Sequence, residues 1–151
     1  GKEDAVGAVR GEYASGTVAR LVGVSQRQLG YWAITGVVGP SRVERRGRAR
    51  RVFYSDRDLL CLALVQRLVG AGFSLDLVRG NLGCLAALPA EPEALGDCYL
   101  VADELGMELR RGLADAMRVI SQGEMTVVCS VGKVARALEK RISREARGIT
   151  A

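Results

Sequence analysis

The chain predicts an α+β fold, with an N-terminal winged helix-turn-helix followed by a small mixed α/β unit. Residues 15–36 hold two short apolar-periodic stretches, each opened by a serine and separated by a Gly-Val turn, which reads as a pair of tightly joined helices. Residues 41–51 crowd Arg42, Arg45, Arg46, Arg48, Arg50 and Arg51 between two β-prone runs. Beyond Pro89 and Pro92 the pattern changes to alternating β-rich and helical runs, the mark of a second, mixed unit.

The elements follow in order. The polar start GKEDAVGAVRGE has no apolar core of the kind a signal peptide needs, so residues 1–14 are expected as a flexible arm. Ser15 is placed to cap a helix over 16–22, with Val18, Leu21 and Val22 inward, and Gly23 can take the positive φ that ends it. Ser25 opens a second helix to Ile34, and Gln28 completes a Ser-x-x-Gln capping box. Leu29, Trp32 and Ala33 face the first helix, with Trp32 in the core, while Gln26, Arg27 and Tyr31 face outward. Val37-Val38 reads as a short strand ended by Pro40, and Val52-Phe53-Tyr54 as its returning partner. Between them the basic tip of a wing has little it can bury.

Ser55, with Asp58 at N3, opens a third helix that is apolar on more than one side, and Gly-Ala-Gly at 70–72 stops it. Ser74 caps a fourth helix that fades by Leu88. The first domain is therefore expected over 15–88 and a linker over 89–92. Further on, 99–102 reads as a strand and Met107–Leu109 as its hairpin partner. Leu113–Ile120 reads as a helix, Met125–Val131 as a second β-rich run and 133–146 as a closing helix. A unit of this size, 93–147, is marginal alone. It is expected to serve dimerisation or regulation, with 148–151 as a tail.

Composition narrows the chemistry. Residues 1–82 carry 13 Lys and Arg against 7 Asp and Glu, and residues 83–151 carry 9 against 10. The basic balance thus belongs to the front half, which fits a nucleic-acid module joined to something else. Nearly all of it is arginine, able to grip phosphate or guanine in a bidentate manner. There is no histidine, which removes the commonest general base, metal ligand and pH switch. Cys61, Cys84, Cys98 and Cys129 form no Cys-x-x-Cys clip and read as buried reduced thiols. No apolar run reaches the roughly 18 residues a membrane span needs. Enzymatic activity, a metal site and a cofactor are all unexpected, and the location is expected to be the bacterial cytoplasm, on the nucleoid.

These residues resemble a known family. VARLVGVSQRQLGYWAITGVVGPS, the arginine-rich loop, YSDRDL and GFSLDLVRGNL occur in that order over about residues 15–85, and together they are similar to the MerR family of bacterial transcription regulators. The wording RQLGYWAITG is close to an actinobacterial branch that includes FtsR-like cell-division regulators. The resemblance implies a homodimer on inverted-repeat, double-stranded promoter DNA. Each recognition helix would lie in a major groove, and an over-long promoter spacer would be bent and untwisted for RNA polymerase. The chain departs from the family in three places. Gly30 stands where much of the family has arginine, the wing lacks the usual Gly-Tyr-Arg wording, and Pro89 and Pro92 interrupt the long dimerisation helix many members carry. Dimerisation is therefore expected through the C-terminal unit or a shorter helix contact.

An isolated arginine run is more often a solvated loop, but after a helix-turn-helix it points to DNA. Arg42, Arg45, Arg46, Arg48, Arg50 and Arg51 are expected at phosphates and in the minor groove, where they raise affinity more than specificity. Gln26, Arg27 and Gln28 are expected to read bases, with Tyr31 at a phosphate; Thr17, Ser25 and Tyr54 complete the DNA-binding set. An alternative makes the protein chiefly an adaptor that docks RNA polymerase or a cell-division partner through its C-terminal unit. A drug-sensing role is disfavoured, because Tyr99 is the one aromatic residue beyond the linker.

Overall fold

A computed structural model describes residues 11–120 and 123–148 of the chain; most of the expected flexible arm, residues 1–10, and most of the tail lie outside the described residues. The chain divides into two compact units, Gly1–Gln66 with Leu138–Ala151, and Arg67–Ala137.

The first unit begins with strand β1, Tyr13–Ala14, which the sequence reading had included in the arm. Helix α1 follows over Ser15–Val22. Its N-cap is Ala14, which has no capping side chain, so Ser15 is one position too late to cap. The Ser15 hydroxyl instead donates to Gln26 Oε1 at 3.3 Å. Gly23, in the left-handed region, closes the helix by sending its N–H to the Ala19 carbonyl, as expected of a residue without a Cβ. Helix α2 spans Gln26–Ile34 behind the N-cap Ser25. Val18, Leu21, Val22, Leu29 and Trp32 are buried, which joins the two helices through their apolar stripes.

No strand forms at Val37-Val38. The Val37 N–H is already bonded to the Trp32 carbonyl at 2.9 Å and its side chain is buried, so neither is available to a ladder. The first hairpin strand comes later: β2 is Arg42–Arg46 and β3 is Ala49–Tyr54. Most of the expected loop is therefore ladder. The sheet order is β1-β3-β2, all antiparallel, and α1 packs against both α2 and β3. Helix α3, Asp56–Gly70, starts with a reciprocal cap. Ser55 Oγ accepts from the Asp58 N–H at 3.1 Å and Asp58 Oδ2 accepts from the Ser55 N–H at 2.8 Å. Residues 59–65 of this helix are buried without a break, so that stretch is enclosed on all sides.

The second unit carries two short helices where one was expected: α4, Leu75–Arg79, and α5, Leu82–Ala86. The break falls at Gly80 and Asn81, where Asn81 Nδ2 donates to the Leu77 carbonyl at 2.8 Å and competes with the helical backbone bond. Pro92, expected in a linker, is the first residue of a 3-10 turn over Pro92–Asp97, a position that suits a residue without an N–H. Strand β4, Cys98–Asp103, is the centre of a second antiparallel sheet, flanked by β5, Gly106–Arg111, and β6, Val127–Ser130. Leu100, Val101 and Ala102 are all buried, so β4 is covered on both faces. Helix α6 is only Leu113–Met117, and Ala116 and Val119 close over Val101. Helix α7, Val131–Ala146, starts in this unit and ends in the first. Val131, Val134 and Leu138 line its buried side.

Candidate nucleic-acid interface

The first turn of α2 is built by the capping box. Ser25 Oγ accepts from the Gln28 N–H at 3.0 Å, and Gln28 Oε1 accepts from the Ser25 N–H at 3.2 Å. Both side chains are exposed, but these oxygens are engaged in starting the helix. Gln26 and Arg27 beside them are exposed too. With Leu29 and Trp32 buried, the 3.6-residue period turns Arg27, Gly30, Tyr31 and Ile34 to the opposite side. Tyr31 is 57% exposed and Ile34 86% exposed. Ile34 was missed at the sequence level; its position seven residues after Arg27 was the available signal. A Cβ on Gly30 would meet nothing within 4 Å, so this face has an open notch at its centre.

The wing sorts its arginines by strand register. Arg42 lies opposite Phe53, Glu44 opposite Arg51, and Arg45 opposite Arg50. The Arg42 guanidinium contacts Glu12 at 2.6 and 3.1 Å and Glu44 at 3.2 Å, and sits 4.3 Å over the Phe53 ring. These acid partners hold its pKa above the ordinary arginine value. Arg51 lies 5.4 Å from the same ring and faces an acid across the ladder. On that side of the hairpin Arg42 is offset by acids, while Arg46 and Arg51 form no ion pair among the described residues. The other side sets Arg45 directly against Arg50, a like-charge cross-strand pair that opposes hairpin formation. Arg46 and Arg48 flank Gly47 at the tip, where Gly47 supplies the positive φ, +58°, of a two-residue turn. Arg45, Arg46, Arg48, Arg50 and Arg51 are exposed and form no ion pair among the described residues.

Residues 13–83 match the MerR HTH family regulatory protein description. They form a MerR-type helix-turn-helix domain. The chain is also similar to HTH-type transcriptional regulators of Mycobacterium tuberculosis H37Rv, Mycobacterium tuberculosis CDC 1551 and Mycobacterium bovis, 37% identical to each over 67 residues. Each match covers 44% of this chain and 30% of the relative, so the aligned part is under a third of the relatives' length.

Within the MerR domain, one residue of the sequence-derived set stands apart from the open surface. Tyr54 is 2% exposed, paired across the ladder with Tyr13. Burial, then the Asp58 carboxylate, push its hydroxyl pKa up, with Arg50 opposing. Its ring is a core element, a consequence of being the last residue of β3 before helix α3. Arg42 remains exposed but is held by the Glu12 and Glu44 contacts. Thr17 is half-buried on α1 and accepts from Arg20 Nη2 at 3.3 Å. Glu12 and Phe53, the partners that distinguish Arg42 from its neighbours, were not singled out by sequence. All four cysteines are free thiols, each raised in pKa, first by burial. Among the described residues there is no cluster of three or more metal-ligating side chains, and no helix long and apolar enough to cross a membrane.

Proposed function

We propose that this protein is a sequence-specific DNA-binding transcription regulator that acts as a homodimer on inverted-repeat promoter DNA. The observation that carries the reading is the pairing, in one compact unit, of an outward α2 face with a hairpin edge whose arginines have no acid partner among the described residues. In this reading α2 lies in the major groove. Arg27 offers two parallel donors to guanine, Gln26 offers a donor and an acceptor to adenine, and Ile34 offers a methyl contact to thymine. Arg45, Arg46, Arg48 and Arg50 take phosphates and the adjacent minor groove. The opposed Arg45 and Arg50 are an arrangement that an anion between them would relieve. The relatives' description as transcriptional regulators supports the same reading.

Residues 93–147 supply the dimer contact, since the Gly80-Asn81 break and Pro92 interrupt the chain where a long helix would directly follow the MerR domain. Two half-sites held by one dimer would bend and untwist the spacer between them, and RNA polymerase would then use the remodelled promoter. Selection of bound duplexes from a random pool with the purified protein tests this. The expected product is an inverted repeat with half-sites about one helical turn, or a multiple of it, apart. Enrichment of no sequence, or of a single half-site alone, overturns the regulator reading or the dimer respectively.

A further inference from the structure

Helix α7 presents a second basic surface outside the residues of the MerR match. Lys133, Arg136, Lys140, Arg144 and Arg147 recur at steps of three and four residues, and all five are exposed. At 3.6 residues per turn they fall within an arc of about 80°. The helical bonding reaches the last of them, because the Arg147 N–H still donates to the Ser143 carbonyl at 3.1 Å. None of the five forms an ion pair among the described residues. The two acids of this helix, Glu139 and Glu145, lie outside the arc. The opposite side is the packed one, with Val131, Val134 and Leu138 buried.

The C-terminal part of the helix belongs to the same compact unit as α1 and α2. Two contacts fix it there. Arg141 Nη1 donates to the Leu21 carbonyl at 2.9 Å, and Arg20 Nη2 pairs with Glu145 Oε2 at 2.5 Å. The Glu145 contact holds the Arg20 pKa above its ordinary value. Arg141 and Glu145 are therefore occupied in anchoring, and Lys140, Arg144 and Arg147 are carried outward on the unit that holds α2.

We propose that this outward face of α7 is a second phosphate-binding surface, contacting the duplex backbone outside the half-site read by α2. The chemistry selects the partner. Lys133 and Arg147 are about 21 Å apart along the helix, a row of charge with no acid within it. A row of that kind is complementary to a polyanion carrying one charge per about 1.7 Å of axis. An in-plane membrane helix needs a free apolar side to insert, and here that side is already buried. Duplex DNA is favoured because the same compact unit carries the base-reading helix. The inference rests on the DNA-binding reading and extends it: the C-terminal helix, read from sequence as part of a dimerisation or regulatory unit, would also set affinity and footprint.

The test compares the full chain with two variants, Lys140→Gln/Arg144→Gln/Arg147→Gln on the helix and Arg45→Gln/Arg48→Gln on the wing. Binding to one selected duplex with long flanks is measured against salt. Gln keeps helix propensity, and a circular dichroism melt verifies each fold; the single variants Lys140→Gln and Arg147→Gln stand in if the triple one unfolds. Loss of three phosphate contacts flattens the log–log salt slope by about 3, and each single variant flattens it by about 1. Between about 50 and about 200 mM salt the triple variant then loses about 40-fold less affinity than the parent chain, with its preferred sequence unchanged. If the helix variant keeps the parent slope and affinity while the wing variant loses both, this inference fails and the DNA reading stands. If the unaltered chain binds no duplex, both fail. If the helix substitutions weaken binding to single-stranded RNA or to anionic lipid vesicles and leave the duplex slope unchanged, the partner class is wrong and the inference is overturned.

Discussion

Arg27 and Arg42 have the same side chain and different surroundings, and those surroundings decide what each can do. Arg27 stands on the outward face of α2 with no ion pair among the described residues. Arg42 is clipped by Glu12 and Glu44 over Phe53. Arg27→Ala is expected to relax preference at one base position, with about 1–3 kcal/mol of discrimination lost; binding to a set of single-base operator variants measures it. Arg42→Ala is expected to leave base preference and the salt slope of binding unchanged. Arg45 and Arg50 test the wing from the other direction. Arg45→Glu replaces a like-charge cross-strand pair by an opposite-charge one. It should raise the stability of the free protein by up to about 1 kcal/mol while weakening duplex binding, with urea melts and gel shifts giving the two readouts. A stability loss in that variant would count against the opposed-arginine account of the wing. In sequence all six arginines are equivalent, because what sorts them is strand register and an acid 30 residues away in the chain.

Two helical glycines show how packing decides the sign of one substitution. Gly30 lies in α2 with open space where a Cβ would go, and Gly132 lies in the first turn of α7. A Cβ on Gly132 would fall 2.8 Å from Gly96 Cα and 3.0 Å from the Leu95 carbonyl oxygen, both backbone atoms of the 3-10 turn. Gly30→Ala gains helix propensity without obstruction and is expected to stabilise by about 1 kcal/mol. Gly132→Ala meets a rigid neighbour and is expected to destabilise by about 1–3 kcal/mol. Denaturant titration of the pair tests both, and equal shifts of the same sign would refute the packing argument. The same contrast explains what could be read from sequence. The caps at Ser25, Ser55 and Ser74 were legible because a serine and its partner N–H lie three residues apart. So were the turn at Gly23 and the central strand β4. Strand β1, the early start of β2, and the break of the fourth helix at Gly80-Asn81 were not. The first two depend on ladder partners distant in sequence, and the third on which carbonyl the Asn81 side chain reaches. In the candidate interface, Gln26 and Arg27 were legible from helix period alone. The burial of Tyr54 was not, because it depends on the helix packed behind β3.

At the scale of the whole molecule, the absence of histidine leaves no side chain whose ordinary pKa lies between about 5 and about 8. The perturbed groups lie outside that window and bound it from both sides. Cys61, Cys84, Cys98, Cys129 and Tyr54 are all raised, first by burial. An unfolded thiol releases its proton near about 8.5, whereas the folded one holds it to higher pH. Between those two values the native state binds more protons, so stability is fully present below the unfolded pKa and falls as pH rises toward the folded one. Glu104 acts at the other end. Its carboxylate accepts the Glu124 N–H at 3.0 Å, the first of the backbone bonds that lower its pKa. It contributes stability above its unfolded value, near about 4.3, and loses it as pH falls through the folded one. Urea midpoints under reducing conditions are therefore expected to be level from about pH 5.5 to about 8 and to decline above about 8.5. The alkaline decline should be shallower in Cys61→Ala, because that substitution removes one raised thiol. Arginine stays protonated throughout this range, so duplex affinity should be equally level across the plateau. A titration step in either quantity near neutral pH would show that a group outside this set controls the molecule.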